Sequence, residues 1–281
     1  MFFDHLPENG FICGHRGARS IAPENTVLSM EKAKNCGAHC WETDVRTSSD
    51  GQLIIFHDEN LERTTDIKTN KFFKDREKQQ VDQFTAEELQ QLGAGSWFLK
   101  DDPFGTVASG EVVPEEKEII KSQKIPLLSE ILEFTKKHSF PVNVEIKDLK
   151  TPAGDTAIVD KIMEMLRDTE TMDLVLLSSF RHEYLHRAKE IDKNIGIGVL
   201  TAKKHPSNLN QYLHSMSADA YHPKQSSCDS LLLNNLRQAG FRVNIWTIND
   251  MTSAKKMLTA GAGVITDWPQ RLTTGEQSHE T

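Results

Sequence analysis

Two carboxylates stand two residues apart in Trp41-Glu42-Thr43-Asp44-Val45, a segment behind Cys40 that reads as a β-strand. A strand alternates its side chains, so Glu42 and Asp44 share one face, about 7 Å apart along the chain. Ser49-Asp50-Gly51 then turns the chain, and the apolar run 53–56 brings it back to His57. Hairpin pairing of these arms would return His57 to the level of Glu42, so that two carboxylates and an imidazole meet at one point. Folding gains nothing from two acids at the end of a buried strand, because unpaired buried charge is costly. Taken alone, the pattern also fits an edge hairpin with solvated acids. The rest of the chain decides between the two readings.

The elements around this hairpin alternate in type. Phe11 to Gly17 reads as a short apolar strand ending in His15 and Arg16. Ala22-Pro23-Glu24-Asn25-Thr26 is a turn whose Asn or Thr can cap a helix over 27–35, and Gly37 ends that helix before the strand carrying Glu42. This is a βαβ unit, so its two strands run parallel. Between Glu59 and Lys124 the rhythm lapses. A short helix over 85–92, with a Thr cap and a Glu three residues on, stands among lysine-rich stretches carrying Phe72, Phe73, Trp97, Phe98 and Phe104. Residues 59–124 are too poor in apolar side chains for a core of their own and are expected to be an insertion capping the active-site face.

Regular alternation resumes at Pro126. Helices are expected over 128–138, 157–166, 182–190, 209–216, 230–239 and 253–259. Strands are expected over 142–147, 174–180, 195–200, 218–223, 243–247 and 264–267. With 53–56 taken as the return arm of the hairpin, eight parallel strands remain. The expected fold is a single TIM (β/α)8 barrel spanning 1–281, with the insertion between strands two and three. An open doubly wound sheet would want a Gly-rich phosphate turn after the first strand, and His15-Arg16-Gly17-Ala18-Arg19 is not one.

Composition excludes several partners. A length of 281 residues, 37% apolar and 26% charged, suits one α/β barrel. The net charge of −8 argues against a nucleic-acid backbone, and no segment approaches the ~20 apolar residues of a membrane span. The first residues lack the basic and apolar regions of a signal peptide. Cys13, Cys36, Cys40 and Cys228 have no paired metal-binding spacing and read as small apolar side chains in a reducing cytoplasm.

In such a barrel the active site lies at the C-terminal strand ends. There the sequence gathers His15, Arg16, Glu42, Asp44, Glu145 and Lys147, then Ser178, Ser179, Trp246 and Asp267, with His57 from the hairpin. Three carboxylates without a cysteine suit Mg²⁺ or Ca²⁺ rather than structural zinc. Two histidines suit acid–base work near neutral pH, and Arg16 and Lys147 supply fixed positive charge for an anion. Together these groups describe hydrolysis of a phosphate ester.

Gly14-His15-Arg16-Gly17, Pro23-Glu24-Asn25-Thr26, Glu42-x-Asp44-Val45, Asp50-Gly51 and His57-Asp58 with Leu61-x-Arg63-Thr64-Thr65 resemble the signature of the glycerophosphodiester phosphodiesterase family. The helix at 85–92 with Gly95-Ser96-Trp97-Phe98, then Val144-Glu145-Ile146-Lys147, Ser179-Phe180, Trp246-Thr247 and Thr266-Asp267 continue it. The resemblance implies this barrel and its insertion, and hydrolysis of small-molecule glycerophosphodiesters to an alcohol and sn-glycerol 3-phosphate. It implies that Glu42, Asp44 and Glu145 hold one divalent cation, Mg²⁺ or Ca²⁺ with Mn²⁺ a further option. His15 and His57 would be acid and base, Arg16 and Lys147 would face the phosphate, and Trp246 would join them on the substrate. The stretch 100–122 is longer than the family's usual link and is expected to border the pocket and bear on head-group preference. A lysophospholipase D-type enzyme taking lipid from a membrane would need an apolar rim from Phe72, Phe73, Trp97, Phe98 and Phe104. A non-catalytic phosphate-binding barrel would have lost a histidine or an acid, and none is missing.

Overall fold

A computed structural model describes residues 1–203 and 205–273; the last part of the expected domain, residues 274–281, lies outside the described residues. Strands β1 (Phe11–His15) and β2 (Cys40–Thr47) are parallel neighbours, with His15 opposite Glu42. The helix between them, α1 (Val27–Asn35), starts where the Thr26 hydroxyl accepts the Ser29 backbone N–H and buries Met30 and Ala33. Strand β3 (Leu53–Ile55) returns antiparallel to β2, pairing Val45 with Ile55 and Thr47 with Leu53. The turn closes by Ser48 N–H donating to the Gln52 carbonyl and sets this register. Extended by two residues, the register puts His57 opposite Thr43, one position from the expected level of Glu42.

Three short helices follow in the insertion: α2 (Ala86–Gln91), α3 (Ser96–Asp101) and α4 (Lys117–Lys121). The second and third of these lie where the polar sequence gave no helical signal. Thr85 and Glu88 cap α2 reciprocally. Leu61, Phe73, Phe84 and Leu89 complete a small apolar cluster by using Ile54 and Phe56 of the hairpin. Phe98 and Ile120 pack with Ile21 and Leu28 beside α1. These residues therefore borrow their core from the barrel's own surface.

The remaining chain alternates α5 (Leu128–His138), β4 (Val142–Ile146), α6 (Ala157–Asp168), β5 (Val175–Ser179), α7 (His182–Ile191), β6 (Gly196–Thr201), α8 (Leu209–Ser215), β7 (Ala220–Pro223), α9 (Ser230–Gln238), β8 (Arg242–Ile245), α10 (Met251–Thr259), β9 (Gly263–Thr266) and α11 (Pro269–Thr273). Strand β2 pairs with β4, each later strand with the next, and β9 with β1, all in parallel. Among the described residues the sheet has nine strands, of which eight close a TIM barrel and β3 lies outside it.

Alternation along each strand divides the barrel into an outer and an inner face. Val142, Val144, Leu177, Ile197, Val199, Val243 and Val264 belong to the core shared with the helices. Inside, Phe11, Cys13, Cys40, Leu176 and Ile265 pack with Phe2 and Leu6. Further along the strands the inner face turns polar with Glu42, Asp44, Asn143, Glu145, Ser178 and His222. Gly198 makes room for the last of these, because a Cβ there would lie 2.4 Å from the imidazole. Among the described residues no helix is long and apolar enough to cross a membrane.

Candidate active site

Asp44 stands opposite Glu145 across the β2–β4 ladder, and oxygens of Glu42, Asp44 and Glu145 lie within 4.8 Å of one another. Each carboxylate is held by a different device. Glu42 accepts the Arg16 backbone N–H at 2.9 Å, an approach made by a left-handed turn at Arg16 and Gly17. Asp44 accepts the Asn25 side-chain amide at 2.8 Å, and the Thr43 hydroxyl donates to the other end of that amide at 2.9 Å. Glu145 accepts Lys147 Nζ at 2.6 Å, which also lies 3.4 Å from Asp44. The alternative between Asn25 and Thr26 as helix cap thus resolves into two jobs. Thr26 caps α1, while Asn25, in the left-handed conformation that asparagine tolerates, turns into the site.

The charges do not balance. Lys147 and Arg16 face three carboxylates, and Arg16 also pairs with Glu24 at 2.7 Å. Burial, then the neighbouring Asp44 and Glu145, push the Glu42 carboxyl well above its ordinary range. Burial raises Glu145 as well, against the pull of Lys147. For Asp44 burial is outweighed by Lys147 and Arg16, and its carboxyl is held low. Asp44 Oδ1 is buried without a hydrogen bond. Surplus negative charge, a buried carboxylate oxygen without a hydrogen bond and an all-oxygen donor set fit a hard divalent cation. These three residues could hold one.

Each histidine has its own carboxylate. His15 Nδ1 donates to Asp267 at 2.6 Å, which leaves Nε2 free, 4.0 Å from Glu42. His57 Nδ1 donates to Asp58 at 2.5 Å, and Asp58 accepts Arg63 Nε at 2.6 Å. Burial and the charge of Arg16 lower the His15 pKa to about 4 despite Asp267. Behind both pairs, Glu24 accepts hydrogen bonds from Arg16, Arg19 and Arg63.

Seven of the eight expected site residues, His15, Arg16, Glu42, His57, Glu145, Lys147 and Trp246, line one cavity of about 340 Å³, and Asp44 is buried beside Glu42 and Glu145. Trp246 lines the cavity with its ring. Its indole N–H is spent on the His222 carbonyl at 2.9 Å and its ring packs edge-on against Phe180, so it offers the cavity an apolar wall and no donor for phosphate. The stretch 100–122 corrects one expectation. It lines no part of the cavity, because its apolar residues Phe104, Val112 and Ile120 are taken up by Trp268, Ile21 and α1.

Sequence reasoning passed over Asn25 and Asp58 as site residues, gave Asp267 a place at the strand ends without its pairing to His15, and missed the Glu24–Arg63 clamp. Each had a local signal: an acid directly after His57, an acid at the end of the last strand, and an asparagine beside a cap.

The model of the glycerophosphoryl diester phosphodiesterase family matches residues 15–271. The chain belongs to this family. Membership makes it a phosphoric diester hydrolase by class. It is 32% identical to a glycerophosphodiester phosphodiesterase of Bacillus altitudinis, over 92% of this chain and 95% of the relative. A Caldanaerobacter subterraneus relative of the same name is 30% identical, over 93% and 95%. Among solved structures, an Oleispira antarctica phosphodiesterase in complex with the product sn-glycerol-3-phosphate is 29% identical, with a TM-score of 0.78 over 97% of both chains.

Proposed function

We propose that this chain hydrolyses small glycerophosphodiesters to an alcohol and sn-glycerol 3-phosphate with the help of one divalent cation. The observation that carries this reading is the pair of carboxylate-held histidines on either side of the acidic triad in one cavity. The product bound to the Oleispira antarctica relative supports the choice of substrate.

Glu42, Asp44 and Glu145 would hold Mg²⁺ or Ca²⁺, with Mn²⁺ a further option, and the ion would supply Lewis-acid stabilisation of charge on the phosphate. Lys147 and Arg16 counter the carboxylates and keep the cavity hospitable to an anion. His15 is neutral at neutral pH with Nε2 free, the state a general base needs. It takes the proton of the nucleophile, which is water or the substrate's own glycerol hydroxyl by way of a cyclic phosphate. His57, its ring held at Nδ1 by Asp58, delivers a proton to the departing alkoxide. Residues 59–124 brace this face: Arg63 ties them to Glu24, and the Thr106 hydroxyl donates to the Ser20 carbonyl at 2.6 Å. Small soluble esters suit the site better than lipids, since of the aromatics expected for an apolar rim Phe73 and Phe98 are buried and the exposed Phe72 lines no part of the cavity. Four free thiols fit a reducing cytoplasm.

The test is release of sn-glycerol 3-phosphate from glycerophosphocholine by the purified chain, with added Mg²⁺ or Ca²⁺ and with excess EDTA. Turnover that needs the cation is expected. Full turnover by a demonstrably metal-free preparation would refute the cation's role, and no turnover of any glycerophosphodiester would refute the substrate class.

A further inference from the structure

Beside the catalytic cavity lies a second one of equal size, about 340 Å³. Its walls come from the end of β2 (Arg46), the first part of the insertion (Glu59, Asp82) and the loop after β4 (Asp148, Lys150). Two short segments separate the cavities. His57 faces the catalytic side and Glu59 the other; Lys147 faces the catalytic side and Asp148 the other. Arg46 follows Asp44 by two residues, on the same face of β2 and about 7 Å further along. The second cavity therefore lies next to the catalytic one, on the His57 and Lys147 side.

Arg46 is unusual among the charged residues here. It is only 8% exposed, and its Nε donates to the His57 carbonyl at 2.9 Å. Its two terminal nitrogens have no hydrogen bond or ion pair among the described residues. The acids around it are mostly committed. Glu59 pairs with Lys150 at 2.7 Å and Asp148 with Arg181 at 3.3 Å. Among the described residues Asp82, exposed at the mouth, is approached only by the Gln83 amide. The cavity thus offers an open guanidinium fork at its floor and an unpaired carboxylate at its rim. A planar fork matches a carboxylate bidentately, and the rim acid matches an ammonium.

We propose that this cavity receives the leaving alcohol and is built for an α-amino-acid head group, a seryl ester, with its carboxylate on Arg46 and its ammonium towards Asp82. The inference rests on the phosphodiesterase reading for its direction of approach. Glycerophosphoserine and glycerophosphoethanolamine differ by that carboxylate alone, so their ratio isolates Arg46.

The measurement is kcat/KM for both esters on the cation-loaded wild type and on Arg46→Gln. Glutamine keeps an N–H at the position of Nε, for the His57 carbonyl, and removes the fork. The wild type is expected to favour the serine ester by about tenfold or more, and Arg46→Gln to bring the ratio near unity. Damage to His57 would lower both rates together and leave the ratio alone. Equal rates in the wild type, or a preference that survives in Arg46→Gln, overturn the subsite while the phosphodiesterase reading stands. If Arg46→Gln does not fold, Asp82→Asn carries the test: it should slow both ammonium-bearing esters relative to glycerophosphoglycerol, and an unchanged ratio overturns the proposal. If no diester turns over, calorimetric titration of the same two compounds reads the subsite by itself. Tighter binding of the serine compound, lost in Arg46→Gln, upholds it, and equal affinities overturn it.

Discussion

Asp267 holds the His15 imidazole at 2.6 Å although 252 residues separate them in the chain. The contact exists because β9 closes the barrel onto β1, with Thr266 opposite Gly14. Asp267→Asn should lower kcat about tenfold to a hundredfold on glycerophosphocholine, since an amide no longer selects the tautomer that leaves Nε2 free. KM and the melting temperature should move little. Steady-state kinetics beside a thermal melt check this, and an unchanged kcat would leave Asp267 with a purely structural part.

The two histidines should separate by leaving group. A p-nitrophenolate departs without protonation, whereas an alkoxide does not. His57→Ala should therefore lose far less activity on bis(p-nitrophenyl) phosphate than on glycerophosphocholine, and His15→Ala should lose similar amounts on both. The reverse pattern would exchange their roles.

The acidic triad should be needed for the ion more than for the fold. Glu42→Gln, Asp44→Asn and Glu145→Gln should each cut activity by orders of magnitude and weaken calorimetric binding of Mg²⁺ or Ca²⁺. Far-ultraviolet circular dichroism should be unchanged. A variant that keeps wild-type cation affinity would remove that residue from the ligand set.

Glu24 should make part of the stability acid-labile. Burial would raise its carboxyl, but Arg16, then Arg63 and Arg19, hold it far below the ordinary 4.5. A carboxyl depressed by folding contributes stability that is fully present above its unfolded value and drains away as pH falls through its folded one. Glu24→Gln should therefore cost about 3–5 kcal/mol at pH 7, and the gap to wild type should narrow steadily below pH 4.5. Urea titrations at several pH values measure it; a gap independent of pH would mean that the cluster works without the charge of Glu24.

The barrel was legible in the sequence because each strand–helix unit carries its own periodicity, and helices such as Leu128–His138 and Val27–Asn35 end where their terminal residues say they should. The triad was legible because period two puts Glu42 and Asp44 together and the parallel register adds Glu145. What escaped depends on closure and on turns. The partnership of Asp267 with His15 exists only once the barrel is shut. The level of His57 depends on how five turn residues close. Helices α3 and α4 form where the insertion lies against α1, a surface that no local pattern announces. The reach of 100–122 was misjudged because chain length says nothing about which face a loop prefers.

That separation between the chemistry and the stretch 100–122 has an evolutionary reading. No residue of that stretch lines the catalytic cavity, so a change in its length should leave turnover undisturbed, provided something still covers Ile21 and Leu28. Variation in the chain's most irregular segment is in this sense silent to catalysis. Selective pressure for a new substrate should instead leave its mark on the few positions around Arg46.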